Sequence, residues 1–462
     1  MKPKYFLALG LLVLGLGSCG ESFFEQYPSN NITEGNFYKT DDDFNQGVVA
    51  CYAKLKTQMS FHLTEIGYRG DENVLESMAV STQNRYDIDH FAETANNGIL
   101  NDIWNAWYNG IYRCNDVLDH MTGAKIANYD KYRGECLFLR SWWYFNLYRV
   151  FGVVPITRTV VTPAAAKLIP RCTEEEMYTL LTEDLAEAAR LLPPTPGPEK
   201  ARVANIAAYT LLAKVYLTFG KPAEAKTALE EAMKNTSYGL ESTTKKVFDV
   251  GNKMNREIIF ALYYNKTNDN CHGYWYSANT DVLADINNPT STFKAIYDSE
   301  KDNRLPLISS YTKIKDNLFA MTKWYDTYDA TYTTQVGNDF PHLRYADVVL
   351  MYAEALAESG GSLGDALEWL NKTRTRAGLD ELTTDEVKSL AEFRRELAAE
   401  RGREFALEGH RWFDLVRLGL AVDYFREMGY SLDSHNLIFP IPQNQIEIVN
   451  NPSILWQNPG FN

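Results

Sequence analysis

A helix–turn–helix pattern in the middle of the chain constrains the fold more than any other feature of the sequence. Residues 201–235, ARVANIAAYTLLAKVYLTFGKPAEAKTALEEAMKN, predict two helices joined by a short turn. Small residues stand where the helices must approach each other, and large residues fill the positions between them. The small residues are Ala207, Ala208, Ala213, Gly220, Ala225 and Ala228, and the large residues are Tyr209, Leu212, Tyr216 and Leu229.

A second copy of this pattern lies at residues 344–378, RYADVVLMYAEALAESGGSLGDALEWLNKTRTRAG. Each copy resembles a tetratricopeptide repeat, a helix pair with a period of about 34 residues. Because residues 236–343 separate the two copies, we predict a helical scaffold rather than a continuous solenoid. The matching positions are Leu212, Ala213, Tyr216 and Gly220 in the first copy and Leu350, Met351/Tyr352, Leu356 and Gly360 in the second.

Helical periodicity also marks most of the chain before the first copy. Thr40 and the three aspartates after it are typical of an N-cap and first turn, and apolar residues then recur at helical spacing. Further helices are predicted over 99–121, over 132–151, where Gly152 and Pro155 follow, and over about 174–192. The predicted fold class is mainly α, with a tetratricopeptide-like scaffold of helix pairs.

The segment from about 240 to 340 differs in kind, because its helical periodicity is poor. It is rich in Tyr, Trp, Asn, Asp and Thr, which predicts an irregular, loop-rich insert bearing a few short strands. Near the end of the chain, Pro440 and Pro442 predict an extended segment and argue against a helix.

The N-terminus has the pattern of a signal peptide. Two lysines precede an apolar run that ends at Ser18, and the run is shorter than the roughly 20 residues of a membrane-spanning helix. Leu16-Gly17-Ser18-Cys19 resembles a bacterial lipobox, so we expect residues 1–18 to be a lipoprotein signal peptide and Cys19 to carry lipid. Residues 19–35 are then the lipidated tether.

The other cysteines are expected to be buried free thiols. They are widely spaced, they form no CxxC pair, and their number is odd once Cys19 is lipidated. A chain of this size needs no disulfide scaffold. These residues are Cys51, Cys114, Cys136, Cys172 and Cys271.

Charge and motifs exclude several classes of function. The net charge of −14 argues against a nucleic-acid partner. No HExxH or Walker A motif occurs, no Rossmann glycine fingerprint follows a predicted strand, and neither a catalytic residue, a metal site nor a cofactor is predicted. Glu404 and Glu408 are an acid–base pair in one interpretation. Because Arg401, Arg403 and Arg411 lie beside them on a predicted helix, a partly buried ion-pair network is the favoured interpretation.

Aromatic residues with polar neighbours are the candidate ligand site. A flat ring covers the C–H face of a sugar, and Asn, Asp, Arg or a Tyr hydroxyl bonds its hydroxyl groups. The alternative is that these rings pack beneath the loops that carry them. The candidate ligand-binding residues are Tyr274, Trp275, Tyr276, Trp324 and Tyr328 in the insert, with Tyr86 and Asp71 from an earlier loop.

Several longer motifs resemble those of SusD/RagB-type outer-membrane lipoproteins, and they occur in family order over nearly the whole chain after Cys19. FFEQYPSNNITEGNFYKTDDDFNQGVVACYAKL and FLRSWWYFNLYRVFGVVPI carry the resemblance in the first half. LRYADVVLMYAEALAESG, LNKTRTRAGL, ERGREFALEGHRWFDLVRLG and IFPIPQNQIEIVNNPSILWQNPGF carry it in the second. On this basis residues 22–235 are an N-terminal SusD-like helical part and residues 240–462 a C-terminal RagB/SusD part, joined in a single compact unit.

The resemblance implies a surface lipoprotein of the outer membrane that has no enzymatic activity. Such proteins are built on four tetratricopeptide-like helix pairs, lie over a SusC-like TonB-dependent transporter and deliver captured oligosaccharide to it. Three alternatives stay open: a peptide-binding lid of the same type, a tetratricopeptide scaffold that binds only protein, and a hydrolase that uses Glu404 and Glu408. Because the ligand loops of the family vary, the resemblance assigns no binding residue.

Overall fold

The computed structural model describes residues 37–72, 83–264, 277–279, 289–315, 318–325 and 337–461. Helices dominate these ranges, which confirms the predicted fold class. The α-helices are α1 (Asp41–Gly67), α2 (Gln83–Asp89), α3 (Gly98–Met121), α4 (Tyr129–Phe151), α5 (Pro163–Ala166), α6 (Glu174–Leu191), α7 (Asn205–Thr218), α8 (Pro222–Met233), α9 (Thr244–Val247), α10 (Ser291–Lys294), α11 (Leu305–Ser309), α12 (Tyr345–Glu358), α13 (Leu363–Arg376), α14 (Leu390–Glu404), α15 (Arg411–Arg417), α16 (Ala421–Glu427) and α17 (Gln443–Val449). The strands are β1 (Ile258–Leu262), β2 (Ser277–Asn279), β3 (Tyr311–Lys315), β4 (Leu318–Met321) and β5 (Phe340–Arg344), and short 3₁₀ turns lie at Val250–Asn252, Thr322–Trp324 and Ser434–Leu437.

The predicted helix boundaries rest on local chemistry that the structure confirms. Thr40 caps α1, because its hydroxyl accepts from the Asp43 N–H at 3.3 Å and the Asp43 carboxylate accepts from the Thr40 N–H at 2.7 Å. α4 ends at Gly152, whose φ of 71° is costly for residues with a side chain. Between α3 and α4, the indole of Trp143 packs where Gly110 lacks a Cβ. The sequence therefore sets both the ends and the close approach of these helices.

The long helices pack in an ordered array. α1 contacts α3, and the contacts continue from α3 to α4, α6, α7 and α8. α8 then packs directly on α12, which packs on α13 and α14. The two predicted repeats, α7–α8 and α12–α13, are thus neighbours in space although the insert separates them along the chain.

A two-stranded sheet explains how the array continues past the insert. β1 pairs antiparallel with β5, with Ile258 opposite Arg344 and Leu262 opposite Phe340. Both strands are buried along their whole length, and β5 runs directly into α12. The chain therefore leaves the helical array for the insert and returns to the array at the same place. A second small sheet within it has the strand order β2-β4-β3, so the predicted short strands are present.

The C-terminal region departs from the prediction of an extended segment. Residues 438–441 are extended, and the Phe439 N–H donates to the Val150 carbonyl at 2.8 Å. α17 then begins directly after Pro442. A proline lacks only an N–H that the first turn of a helix leaves unbonded, so Pro442 is compatible with the start of this helix.

The described cysteines are buried free thiols, as predicted, while Cys19 and Cys271 lie outside the described residues. Within the described ranges, no helix has both the length and the apolar character that a membrane crossing requires. The four described thiols are Cys51, Cys114, Cys136 and Cys172.

A buried ion-pair network joins the insert to the C-terminal helices. Its centre is Arg344, whose guanidinium donates to Glu257 at 2.8 Å, to Glu404 at 2.6 Å and to Glu408 at 2.8 Å. Arg376 pairs with Glu257 at 2.7 Å and also with Glu404. These side chains are almost wholly excluded from solvent. The predicted network is therefore confirmed, and it is more deeply buried than expected.

The predicted cation partners of Glu404 and Glu408 were wrong. Arg401 pairs with Asp347 and Asp414, Arg403 with Glu400, and Arg411 with Asp71. The reason is local: α14 ends at Glu404, and Leu407 and Gly409 both have positive φ angles before α15 begins. The predicted stripe is thus divided between two helices, and the cations that pair Glu404 and Glu408 come from elsewhere in the chain.

We predict that Arg344→Met lowers the free energy of unfolding by about 3–5 kcal/mol, because it leaves three buried carboxylates without their shared cation. Denaturant unfolding followed by circular dichroism measures the change. Arg395→Met is the matched control, since Arg395 is an exposed arginine of α14. Equal stability of the two variants would contradict the role assigned to Arg344.

Candidate functional site

The sequence-predicted site residues fall into three groups in the structure. Tyr274, Trp275, Tyr276 and Tyr328 lie outside the described residues, as does the lipidation candidate Cys19. Asp71 and Trp324 are described and buried, and Tyr86 is described and half-buried. The structure therefore describes the surroundings of three of the seven ligand-binding candidates.

Asp71 is occupied within the protein, contrary to the prediction that it faces a ligand. Its carboxylate accepts from Arg411 Nε at 2.8 Å and from the Tyr424 hydroxyl, and only 3% of the residue is exposed. Its backbone carbonyl accepts from the Thr290 hydroxyl at 2.8 Å. Asp71 thus anchors the end of α1 to the C-terminal helices and to the insert.

Trp324 is likewise a core residue and not part of an exposed platform. Its ring has no exposed surface, stacks on Phe340 with centroids 5.8 Å apart and meets Phe248 edge-on at 5.3 Å. An aromatic residue in a loop-rich segment packs beneath the loop as readily as it faces solvent, and here packing prevails. The prediction that Trp324 contacts ligand is corrected accordingly.

Tyr86 belongs to a group of polar and aromatic side chains on α2 and the residue after it, here called the Tyr86 patch (Asn84, Arg85, Tyr86 and His90). The Tyr86 ring stacks on His90 with centroids 3.8 Å apart, and Asn84 is exposed beside it. Arg85 bonds the buried Glu65 of α1 at 3.2 Å, which fixes the patch to the scaffold. Burial raises the pKa of Glu65 to about 7, although Arg85 opposes that shift.

The described residues that border the aromatic segments meet in pairs. The Tyr264 N–H donates to Asp339 at 3.0 Å, which brings the residue before 265–276 next to one after 326–336. The hydrogen bond from Thr290 to Asp71 likewise brings a residue that follows 280–288 next to a residue that precedes 73–82. The start of the segment that carries Tyr274, Trp275 and Tyr276 and the end of the segment that carries Tyr328 therefore lie at one place on the scaffold.

Sequence reasoning missed a cavity beside one of these borders. It has a volume of about 690 Å³ and is here called the Tyr263 cavity. The Tyr263 ring is 44% exposed, and the Lys253 ammonium lies 4.1 Å from the ring centroid. The volume falls within the range of ligand pockets, and an exposed ring beside a cation suits a hydroxylated ligand. Other residues that line the cavity include Val49, Tyr52, Ala53, Met254 and Leu262.

The Tyr263 cavity is distinct from the Tyr86 patch. Tyr52 of α1 lines the cavity, whereas Glu65 of α1 holds the patch. The two residues lie about 20 Å apart along the helix axis. The sequence signal for the cavity was the pair Tyr263-Tyr264. Such a pair is also typical of buried strand residues, and Tyr264 is in fact buried.

The acid–base alternative for Glu404 and Glu408 finds no support in the geometry. Burial alone would raise the pKa of Glu404, but Arg376, Arg344 and Arg304 together hold it well below its ordinary value. Glu408 is bonded to Lys323 at 2.7 Å and to Arg344, and neither carboxylate is exposed. Among the described residues, no group of three or more His, Cys, Asp or Glu side chains is arranged to hold a metal ion.

We predict that Glu72 makes stability depend on pH. Burial, reinforced by Asp71, raises the pKa of Glu72 to about 8, although its carboxylate accepts from the Leu407 N–H at 3.1 Å. A raised pKa favours the folded state below the ordinary value, and this contribution is lost as the pH rises towards 8, by at most about 1.4 kcal/mol per pH unit. Glu72→Gln should therefore show a smaller fall in melting temperature between pH 5 and pH 8.

Thermal unfolding at a series of pH values checks this expectation, and the exposed Glu381→Gln serves as the control. A Glu72→Gln variant that follows the same pH dependence as the parent protein would show that Glu72 titrates normally in the folded state.

Comparisons with known proteins give consistent results. Two family models match, one described as the SusD family over residues 302–461 and one as "Starch-binding associating with outer membrane" over residues 27–217. SusD-like protein P2 of Formosa agariphila is 25% identical over 511 residues, covering 99% of this chain and 100% of that protein. The starch-binding protein SusD of Bacteroides thetaiotaomicron is 33% identical over 154 residues, or 31% of this chain and 26% of that protein.

Solved structures show the same fold. A SusD superfamily protein from Bacteroides vulgatus aligns with a TM-score of 0.76 and 23% identity, covering 92% of this chain and 100% of that chain. Surface glycan-binding protein A from Bacteroides thetaiotaomicron, in complex with laminarihexaose, aligns with a TM-score of 0.74 and 21% identity, covering 91% of this chain and 99% of that chain. The helical array described above is therefore an architecture shared with these proteins.

Proposed function

The chain belongs to the SusD/RagB family, and from that premise we propose that it is a lipoprotein of the cell outer membrane that captures an oligosaccharide at the cell surface. It delivers this ligand to a SusC-like TonB-dependent transporter and performs no chemistry on it. The family model for the N-terminal half carries the description of a starch-binding protein that associates with the outer membrane, and one relative of the same fold is in complex with laminarihexaose.

One structural observation carries the proposal: the exposed Tyr263 ring and the half-buried Tyr86 ring both have polar neighbours, and Tyr263 lies at the border of an aromatic segment. The Tyr86 ring stacks on His90 and lies on the same helix as Asn84 and Arg85, and the Tyr263 cavity offers a ring beside Lys253. Tyr274, Trp275, Tyr276 and Tyr328 are proposed as further ligand contacts. Each aromatic contact adds a modest amount of binding energy, so several of them are needed for useful affinity.

The absence of enzymatic activity is also part of the proposal. Glu404 and Glu408, the acid–base pair of one interpretation, are both buried and both paired with buried cations. A general acid requires a carboxyl group that stays protonated near neutral pH, which the environment of Glu404 opposes. The proposed role is therefore capture and transfer of an intact ligand.

We predict that Tyr86→Ala and Tyr263→Ala each weaken binding of an oligosaccharide by about three- to tenfold, because each removes one ring that stacks on a sugar. Calorimetric titration with a panel that includes laminarihexaose and starch fragments measures the affinities. Tyr112→Ala is the matched control, since Tyr112 is 46% exposed on α3 and borders neither site.

The panel also separates the alternatives. If members of a peptide library bind and no glycan does, the ligand is a peptide and not an oligosaccharide. If a glycan binds and neither variant changes its affinity, both proposed sites are excluded. Release of shorter sugars from a bound glycan would contradict the proposed absence of catalysis.

We predict that Cys19→Ala releases the protein from the outer membrane, because Cys19 is the proposed lipid attachment point and several acyl chains give a firm anchor. Membrane fractionation and protease treatment of intact cells measure attachment and surface exposure. Cys172→Ala is the control, since Cys172 is a buried thiol of the folded body. A Cys19→Ala protein that stays membrane-bound and surface-exposed would refute the proposed anchor.

A further inference from the structure

A second cavity, separate from the proposed glycan contacts, lies where the N-terminal helices meet α15. It has a volume of about 280 Å³ and is here called the Arg149 cavity. α4 contributes Arg149, α7 contributes Lys214 and Thr218, and the region around α15 contributes His410 and Arg417. Its other lining residues are Phe145, Tyr148, Gly152, Phe413, Asp414, Val416, Leu437 and Ile438.

Arg149 is a half-buried cation that forms no ion pair with a carboxylate of the described residues. Its guanidinium lies over the rings of Phe413 and Phe145, at 3.9 Å and 4.8 Å from the centroids. Its Nη2 donates a hydrogen bond to Asn146 Oδ1. Nε is buried with no hydrogen-bond partner in the described part of the chain. Burial lowers the pKa of Arg149 to about 9, although Asp414 and Asp347 oppose that shift.

The carboxylates near Arg149 are committed to other cations. Asp347 pairs with Lys214 at 2.5 Å and with Arg401 at 2.9 Å. Asp414 pairs with Arg401 at 2.8 Å and with Arg417 at 3.0 Å. The same Arg417 also pairs with Glu354, the remaining carboxylate of this cluster.

The cluster therefore carries one positive charge in excess. Among the described residues, the cations Arg149, Lys214, Arg401 and Arg417 meet three carboxylates. Burial lowers the pKa of His410 well below its ordinary value, which keeps its ring neutral. Leaving a buried charge without a counter-ion is costly, and a bound anion removes that cost. The planar N–H donors of a guanidinium match the oxygens of a carboxylate, sulfate or phosphate group.

We propose that the Arg149 cavity binds a small oxyanion, the carboxylate, sulfate or phosphate group of a compact molecule, with Arg149 as its principal ligand. Lys214, Arg417 and Thr218 line the cavity around that group. The volume admits a single sugar ring or an inorganic oxyanion. The site is independent of the Tyr86 patch and of the Tyr263 cavity, and none of its lining residues belongs to either.

The test titrates the full-length protein with inorganic sulfate, with glucuronate and with neutral glucose, at constant ionic strength set with chloride. We expect saturable binding of sulfate, glucuronate or both, and no binding of glucose. Binding of sulfate identifies a free oxyanion as the ligand, and binding of glucuronate alone identifies a carboxylate on a sugar ring. Arg149→Leu should weaken binding at least tenfold, Arg149→Lys should weaken it less, and the exposed Arg158→Leu should leave it unchanged.

Thermal unfolding separates a ligand-binding arginine from a structural one. In chloride buffer without oxyanions, Arg149→Leu should melt at the same temperature as the parent protein or higher, because it removes a cation that the described residues leave uncompensated. The stabilisation that the anion gives the parent protein should be lost in this variant. Oligosaccharide binding should be unchanged, which distinguishes this site from the proposed glycan contacts.

Three results would overturn the proposal. One is the absence of saturable binding of sulfate and of glucuronate to the parent protein, which needs no variant. Another is equal anion affinity of the parent protein and Arg149→Lys or Arg149→Leu. The third is a marked loss of stability in Arg149→Leu without anion, which would assign Arg149 a packing role.

Discussion

The architecture depends on one buried arginine at the junction of the insert and the helical array. Arg344 is the last residue of β5 and directly precedes α12, so its position fixes how the chain re-enters the array. Its guanidinium meets Glu257 from the start of the insert and Glu404 and Glu408 from the C-terminal half. Three segments distant in sequence are therefore held at one point. The desolvation cost of such a charge is recovered only when the carboxylates are correctly placed, which makes this junction specific as well as stable.

The same C-terminal segment also holds the first loop of the chain. Glu72 accepts from the Leu407 N–H, and Asp71 pairs with Arg411. The residues that follow α1 are therefore bonded to the turn between α14 and α15 and to the first residue of α15. That turn contains Leu407 and Gly409 at positive φ, a geometry that the ion pairs around it stabilise. The Tyr264–Asp339 hydrogen bond likewise fixes the start of one segment proposed to contact ligand and the end of another. These contacts lie outside the segments proposed to contact ligand, so such segments can differ in sequence while the contacts remain.

Sequence reasoning predicted the parts of the structure that depend on local chemistry. The cap at Thr40, the end of α4 at Gly152 and both helix pairs follow from residue types within a few positions of each other. It failed where partners come from distant segments, as with the cations of Glu404. The candidate site shows the same limit: Tyr86 and Trp324 are both aromatic residues with polar neighbours, yet one is half-exposed and the other has no exposed surface. Burial of a side chain depends on tertiary packing that a sequence window does not contain.

Arg344 and Arg149 differ in the counter-ions that surround them, and they therefore support different conclusions. Arg344 has three carboxylates arranged around it, and its charge is fully compensated by the fold. Arg149 is flanked by two aromatic rings, and the carboxylates near it in the described part of the chain are already paired with other cations. The rings supply part of the lost hydration energy but provide no oxygen for the buried Nε–H. A charge that the protein itself leaves uncompensated, beside a cavity of suitable size, is best explained by a counter-ion from outside the chain.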